Sequence, residues 1–306
     1  MKNLIFFAAA LVAAPFFIGV INQTKAFFAG RRGSGFFRLY FDLAKLLRKS
    51  SPRSVTATWL FDLAPSITLA ATIAAAMVFP WMDDPADKIT GFLSASVSAA
   101  LFFYLLGAGR FFTVLGALDT GSAFEGMGAS REVQFSALVE PIVFVVLGFL
   151  VLLTDSTSLP GMLGGYSTGE WTHHSVSLVL AAIAFFAILL SETCRVPFDD
   201  PETHLELTMI HEAMILDNAG VDLAYIHYGA ALKFELLAAF LVAMILPDFG
   251  GDARVHAATL FGGILAVAIA TGVVESTMAR MRFFKTPQIL LAALMTAMLS
   301  ILLFLI

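Results

Sequence analysis

The chain has 306 residues, of which 59% are hydrophobic and only 13% charged, with a net charge of −5 and a mean hydropathy of +0.87. Soluble domains carry roughly a quarter charged residues, so this composition excludes a soluble globular protein and points to an integral membrane one. The single cysteine, Cys194, excludes an intrachain disulfide framework, an all-cysteine cluster and an all-cysteine zinc site.

Residues 3–22 form an apolar run of about twenty residues, long enough to cross the roughly 30 Å hydrocarbon core as a helix. A signal peptide is the competing reading. The run is long for one and a basic segment follows at once, so a retained span is expected. Eight Lys/Arg fall between Lys25 and Arg53. Within that segment, residues 36–47 alternate aromatic or leucine with charge at helical spacing, which predicts an amphipathic helix lying at the interface.

Further spans are predicted at 59–79, 89–109, 132–153, 174–190, 223–246, 256–275 and 286–306. That makes eight in an all-α integral membrane protein, forming a single membrane domain over residues 1–306. No strand-like alternation competes, and an open sheet could not satisfy its backbone in lipid. With the basic segment placed inside, fourteen Lys/Arg collect on one side of the membrane against three on the other. This predicts both termini outside and the large polar connections in the cytoplasm.

Several charges fall inside predicted spans. Glu140 lies about eight residues into its span, just before Pro141, which removes a helix hydrogen bond. Lys233 and Glu235 lie near the middle of theirs. A charge at mid-depth costs at least about 2.5 kcal/mol unless it is paired or hydrated, so these three point to function. Lys233 and Glu235 are two residues apart and face different helix sides, so each needs a partner elsewhere. Asp62, Glu192 and Glu275 stand close to span ends, where interfacial water serves as well as function to explain them.

Residues 191–220 hold seven carboxylates (Glu192, Asp199, Asp200, Glu202, Glu206, Glu212 and Asp217), two histidines and a single basic side chain, Arg195. Pro197 and Pro201 bracket an elbow, and the residues after Pro201 are predicted to form an acidic cytoplasmic helix. Glu202 and Glu206 share one face at i, i+4, where repelling carboxylates acquire raised, coupled pKa values suited to passing protons. His204 and His211 are two turns apart and lack the HExxH spacing, so no metal site is expected. The string Asp119-Thr120-Gly121-Ser122 copies that of aspartic proteases, whose chemistry needs two such loops on β-lobes, so the match reads as chance. Residues 119–132, with three glycines, are predicted to form a shaped cytoplasmic loop for close contact with a partner.

Residues 191–220, with ExxRxPFDxPExxxEL followed by HExMILDxxG, resemble the membrane-anchor subunits of formate hydrogenlyase, hydrogenase-4 and the energy-converting membrane-bound nickel–iron hydrogenases. These in turn resemble the subunit 1 family of respiratory complex I. The likeness also covers GRRGSGFFRLYFDLAKLLRK (30–49), DTGSAFEGMGASREVQFSALVEP (119–141) and VESTMARMRFFKTPQ (274–288). Departures stand at Ser34, at Arg38 and at Phe124-Glu125, where the family usually has Pro, Gln and a Pro-Phe-Gly-type turn.

The resemblance implies a non-catalytic subunit of an oxidoreductase complex in the inner membrane of a prokaryote. It would join a nickel–iron hydrogenase-like large subunit and an iron–sulfur small subunit to antiporter-like membrane subunits. Those partners would carry the nickel–iron centre and the iron–sulfur clusters, with no cofactor in this chain and no nucleic-acid partner. By the same resemblance Glu140, Glu192, Arg195, Asp199, Glu202, Glu206 and Glu212 would form a proton-coupling network, which Lys233 and Glu235 would continue. Arg31, Arg32, Asp42, Lys45, Gly126, Gly128, Arg131 and Arg280 would face the docked arm. In complex I relatives this region borders a quinone chamber, which makes a quinone-site subunit the alternative.

Overall fold

The structure, a computed structural model, describes residues 2–52, 57–81, 98–164, 168–199, 209–246, 253–278 and 285–306. Its helices are α1 (Lys2–Phe28), α2 (Arg38–Leu46), α3 (Trp59–Val78), α4 (Ala99–Asp119) and α5 (Ala123–Thr154). There follow α6 (Leu159–Gly164), α7 (Thr168–His173), α8 (Ser175–Glu192), α9 (His211–Met214), α10 (Gly220–Ile245), α11 (Ala253–Thr277) and α12 (Thr286–Leu305). Eight of these, α1, α3, α4, α5, α8, α10, α11 and α12, are long and apolar enough to cross a membrane. The all-α architecture expected from the sequence is therefore observed, with no strand among the described residues.

Helix α10 is the centre of the bundle. Its apolar stretch is 72% buried, against 22% for α11 and α12, and it packs on α1, α3, α8 and α11. Phe240 of α10 stacks on Phe185 of α8 at 4.8 Å and meets the edge of Phe103 of α4 at 5.2 Å. Such ring pairs add about 0.5–1.5 kcal/mol each beyond the area they bury. Helices α3 and α4 approach closely because small residues line their seam. A Cβ on Gly116 would meet that of Ala64 at 2.9 Å, the close-packing device typical of membrane helices.

The amphipathic helix forms as predicted. α2 leaves Phe41 and Lys45 exposed, and Tyr40 donates its hydroxyl proton to the Val12 carbonyl of α1. The protease-like string ends as a cap. The Asp119 carboxylate, at the end of α4, accepts the Thr58 N–H (2.7 Å), the Thr58 hydroxyl (2.8 Å) and the Phe61 N–H (3.3 Å) at the start of α3.

Two expectations are corrected. The third span is α4, not residues 89–109, so Arg110 lies inside a helix rather than at its end. The glycine-rich stretch after Ser122 is no loop but the first turns of α5, a helix of 32 residues. At about 1.5 Å per residue that helix runs roughly 48 Å, longer than the bilayer core is thick, so its polar start projects beyond the apolar layer. Of the helix predicted after Pro201, over residues 202–217, residues 202–208 lie outside the described residues, and within 209–217 only α9, His211–Met214, is helical.

Candidate functional site

The site is built where α8 ends. The Cys194 N–H reaches the Ser191 carbonyl (3.2 Å) and the Arg195 N–H reaches that of Leu190 (2.9 Å), with Cys194 in the left-handed region at φ 51°. This is a Schellman-type stop, with cysteine where glycine is usual. It leaves Glu192 in the last turn and sends Arg195 to the opposite side.

Glu192 accepts from two cations on two other helices. Lys233 Nζ of α10 lies 2.7 Å from Oε2, and the Arg110 guanidinium of α4 bonds Oε1. Arg110 also reaches Glu140 of α5 at 3.4 Å. The side chains of Arg110, Glu192 and Lys233 are 13%, 13% and 17% exposed. Glu132 of α5 is buried beside them, with the Cys194 Sγ 4.0 Å from its Oε2. A cavity of about 80 Å³ connects Arg110, Glu132, Glu192, Cys194, His211 and Lys233. Its lining sets these groups and several threonines among apolar side chains, and its volume exceeds that needed for one water, so it has room for internal water bonded to them.

A second cluster lies across the Cys194 turn. Glu275 of α11 is fully buried and takes Arg195 Nη1 and Lys25 Nζ, each at 3.1 Å. Arg195 also lies over the Phe234 ring at 5.9 Å. A larger cavity, about 250 Å³, is lined by Arg195, Glu212 and His227 and shares Cys194 and His211 with the first. His211 is thus in the wall between the two.

The remaining predicted residues separate by role. Asp199, buried, accepts the N–H groups of Ile210 (3.3 Å) and His211 (3.0 Å), and Arg131 donates to the Met209 carbonyl (3.1 Å). Both therefore hold the 209–211 turn against α5. Gly128 does the same by its smallness, since a Cβ there would meet the Ile210 carbonyl oxygen at 2.8 Å. Gly126 has open space around it. Glu140 faces outward, with its side chain 62% exposed, rather than into the bundle. Glu235 is 2% exposed and one of its carboxyl oxygens has no hydrogen-bond partner. Arg31 and Arg32 are exposed, and Asp42 pairs with Arg38 (3.3 Å) and Lys45 (4.0 Å) on α2. Glu202, Glu206 and Arg280 lie outside the described residues.

Sequence reasoning missed Arg110 and Glu132, and left Glu275 open between function and interfacial water. Arg110 was readable: FFYLLGAG precedes it and FFTVLGAL follows, so the apolar run continues through it. Glu132 and Glu275 stood at predicted span ends, which concealed their burial.

Two consequences are measurable. Gly128→Ala should loosen the 209–211 turn and cost about 1–3 kcal/mol, the usual penalty of overpacking; thermal unfolding in detergent reads it, and an unchanged midpoint contradicts the contact. Burial pushes His211 down to about 4, helped by His227, Lys233 and Arg195. The unfolded chain therefore binds the extra proton more readily, so stability is present above the unfolded value near 6.5 and is lost as pH falls toward about 4. His211→Asn should flatten that decline in a pH series of melting points.

Residues 1–306 match the NADH dehydrogenase family. The chain belongs to that family. It is 31% identical to hydrogenase-4 component C of Escherichia coli over 280 residues, covering 89% of this chain and 85% of that protein. It is 29% identical to formate hydrogenlyase subunit 4 of the same organism, covering 94% of this chain and 92% of that one. An NADH-quinone oxidoreductase subunit of Agrobacterium fabrum is 25% identical over 69% of this chain and 64% of its own. The fold is that of a chain in the membrane-bound sulfane sulfur reductase, an archaeal respiratory membrane complex, with a TM-score of 0.83 at 19% identity, covering 99% of this chain and 98% of that one. This NADH dehydrogenase family member is therefore a multi-pass membrane protein whose relatives are subunits of respiratory membrane complexes.

Proposed function

We propose that the chain is the membrane subunit of a membrane-bound nickel–iron hydrogenase complex, anchoring a cytoplasmic electron-transfer arm and coupling its redox chemistry to proton or sodium translocation. The observation that carries the coupling role is the largely buried Arg110–Glu192–Lys233 cluster, joining three helices beside Glu132 around one cavity. Charges at that depth are expensive, and they are retained where ions move or where charge is sensed. The hydrogenase side is supported by the relatives from hydrogenase-4 and formate hydrogenlyase.

In this reading the chain holds no cofactor. A large subunit carries the nickel–iron centre, a small subunit carries the iron–sulfur clusters, and antiporter-like subunits stand beside it in the inner membrane of a prokaryote. Both termini face outward, and the basic connections lie in the cytoplasm beneath the arm. Glu192, Lys233 and Glu132 hold or pass the proton, while Asp199, Arg131 and Gly128 keep the 209–211 turn in register. The second reading, a quinone-site subunit, draws on the 250 Å³ cavity under Arg195.

Purification of the native complex separates the two. Nickel together with a large subunit bearing paired CxxC motifs supports the hydrogenase; activity blocked by a quinone analogue, without nickel, sinks it. Within the complex, Glu132→Gln should leave dye-linked hydrogen oxidation intact and abolish the hydrogen-linked pH gradient. An undiminished gradient rules out the proposed role of the cluster.

A further inference from the structure

A second line of buried polar groups runs from the Lys/Arg-rich end of the bundle toward the same cluster, and nothing above uses it. It begins at Glu125, in the first turn of α5, where the side chain is 0% exposed. Its Oε1 accepts the Asp217 N–H at 3.0 Å, while Oε2 has no hydrogen-bond partner. The Thr120 hydroxyl beside it spends its proton on the Ala117 carbonyl (2.8 Å). Asp217 itself is exposed, so Glu125 lies one residue beneath the surface.

The next residue, Asn218, has a buried Oδ1, also without a partner. It lines a cavity of about 10 Å³ together with Phe61, Pro65, Thr113, Met214 and Ile226. Pro65 stands inside α3 and has no N–H to give the Phe61 carbonyl four residues earlier. An unpartnered acceptor, Asn218 Oδ1, thus belongs to a residue lining a space about the size of one water, beside a helix turn that lacks one backbone donor, which suits a buried water. Thr113, Met214 and Ile226 form the far wall and also line the 80 Å³ cavity that holds Glu192, Glu132 and Lys233. Thr113 carries the only hydroxyl among those three; it donates to the Gly109 carbonyl (3.1 Å), which leaves its oxygen to accept, and lies 3.1 Å from Thr68 Oγ1.

We propose that Glu125, Asn218 and Thr113 form a water-borne proton intake from the cytoplasmic end to the Glu192 cluster, separate from the larger cavity under Arg195, Glu212 and His227. Glu125 takes a proton on Oε2 and hands it to water held by Asn218. The Thr113 hydroxyl relays it onward, and no redox step is involved. The intake rests on the coupling role proposed above for the cluster. A lone carboxylate in a first helical turn is ordinarily a response to the helix dipole. Here both its own free oxygen and the unpartnered Asn218 oxygen point to a ligand instead.

The test uses the purified complex in proteoliposomes, with hydrogen-driven proton movement read by a pH dye and dye-linked hydrogen oxidation as the control. Glu125→Gln keeps an oxygen for the Asp217 N–H but cannot carry a proton, whereas Glu125→Ala loses both. The intake predicts that both variants slow proton movement at least about fivefold, with hydrogen oxidation unchanged. Asn218→Leu should do the same, and Thr113→Val, nearly the same volume, gives the answer should the leucine variant not assemble. Normal proton movement in Glu125→Gln, with a defect in Glu125→Ala alone, makes Glu125 a tether and overturns the intake. Normal movement in all four variants, with arrest in Glu132→Gln, also overturns it and leaves the coupling role standing. Normal movement in Glu132→Gln as well brings down both.

Discussion

Glu192→Gln should destabilise the protein by roughly 3–5 kcal/mol, the usual cost of breaking a buried ion pair from one side. The glutamine keeps the shape but removes the charge that Arg110 and Lys233 share. Two cations then face each other across a low-dielectric space, and hydration of the 80 Å³ cavity cannot replace a carboxylate. The expected result is a lower melting point in detergent and poor assembly of the complex. Adding Lys233→Met should recover much of the loss, since only Arg110 then needs a counter-charge, and Glu140 stands 3.4 Å away. Additive losses in the double variant would contradict the shared-anion arrangement.

Glu275→Ala should have an effect of similar size, about 3–5 kcal/mol, by removing the carboxylate that Lys25 and Arg195 share. The mechanics differ, because the carboxylate ties α1, the turn after α8 and α11 together at one point. α11 is among the least buried of the spans, at 22%, and packs on α1 and α10, so the carboxylate adds the tie to the turn after α8 at its end. Protease accessibility of the described end of α11, near Met278, should therefore rise in Glu275→Ala but not in Lys25→Met, which leaves the Arg195 pair intact. Equal protection in both variants would exclude the pinning role.

Much of the fold was legible because the bilayer demands long apolar helices, and eight such runs stand plainly in the sequence. The third was misplaced because its apolar stretch continues through Arg110, and a charge was read as a boundary. The stretch after Ser122 was misread because glycines suggest loops. In α5, Gly128 instead lets the 209–211 turn approach, a reason that exists only in three dimensions. The site was half legible. Lys233 clearly needed a distant partner, but that Glu192 would be that partner, forty-one residues earlier, is not written in any local pattern. Glu132 and Glu275 show the limit most clearly, since their distance from a predicted helix end said nothing about what covers them.

The four buried side chains around the smaller cavity have a simple arithmetic. With Glu132 and Glu192 both ionised they balance Arg110 and Lys233, and one added proton leaves an excess of one positive charge. Across about 10 Å at an effective dielectric near 20, a unit charge is worth about 1.7 kcal/mol. Thr193, Cys194, His211 and Ala230 line both cavities and form the wall between this charge and the larger one. A proton gained on one side of that wall should therefore change, by more than tenfold, how readily an anion is held on the other.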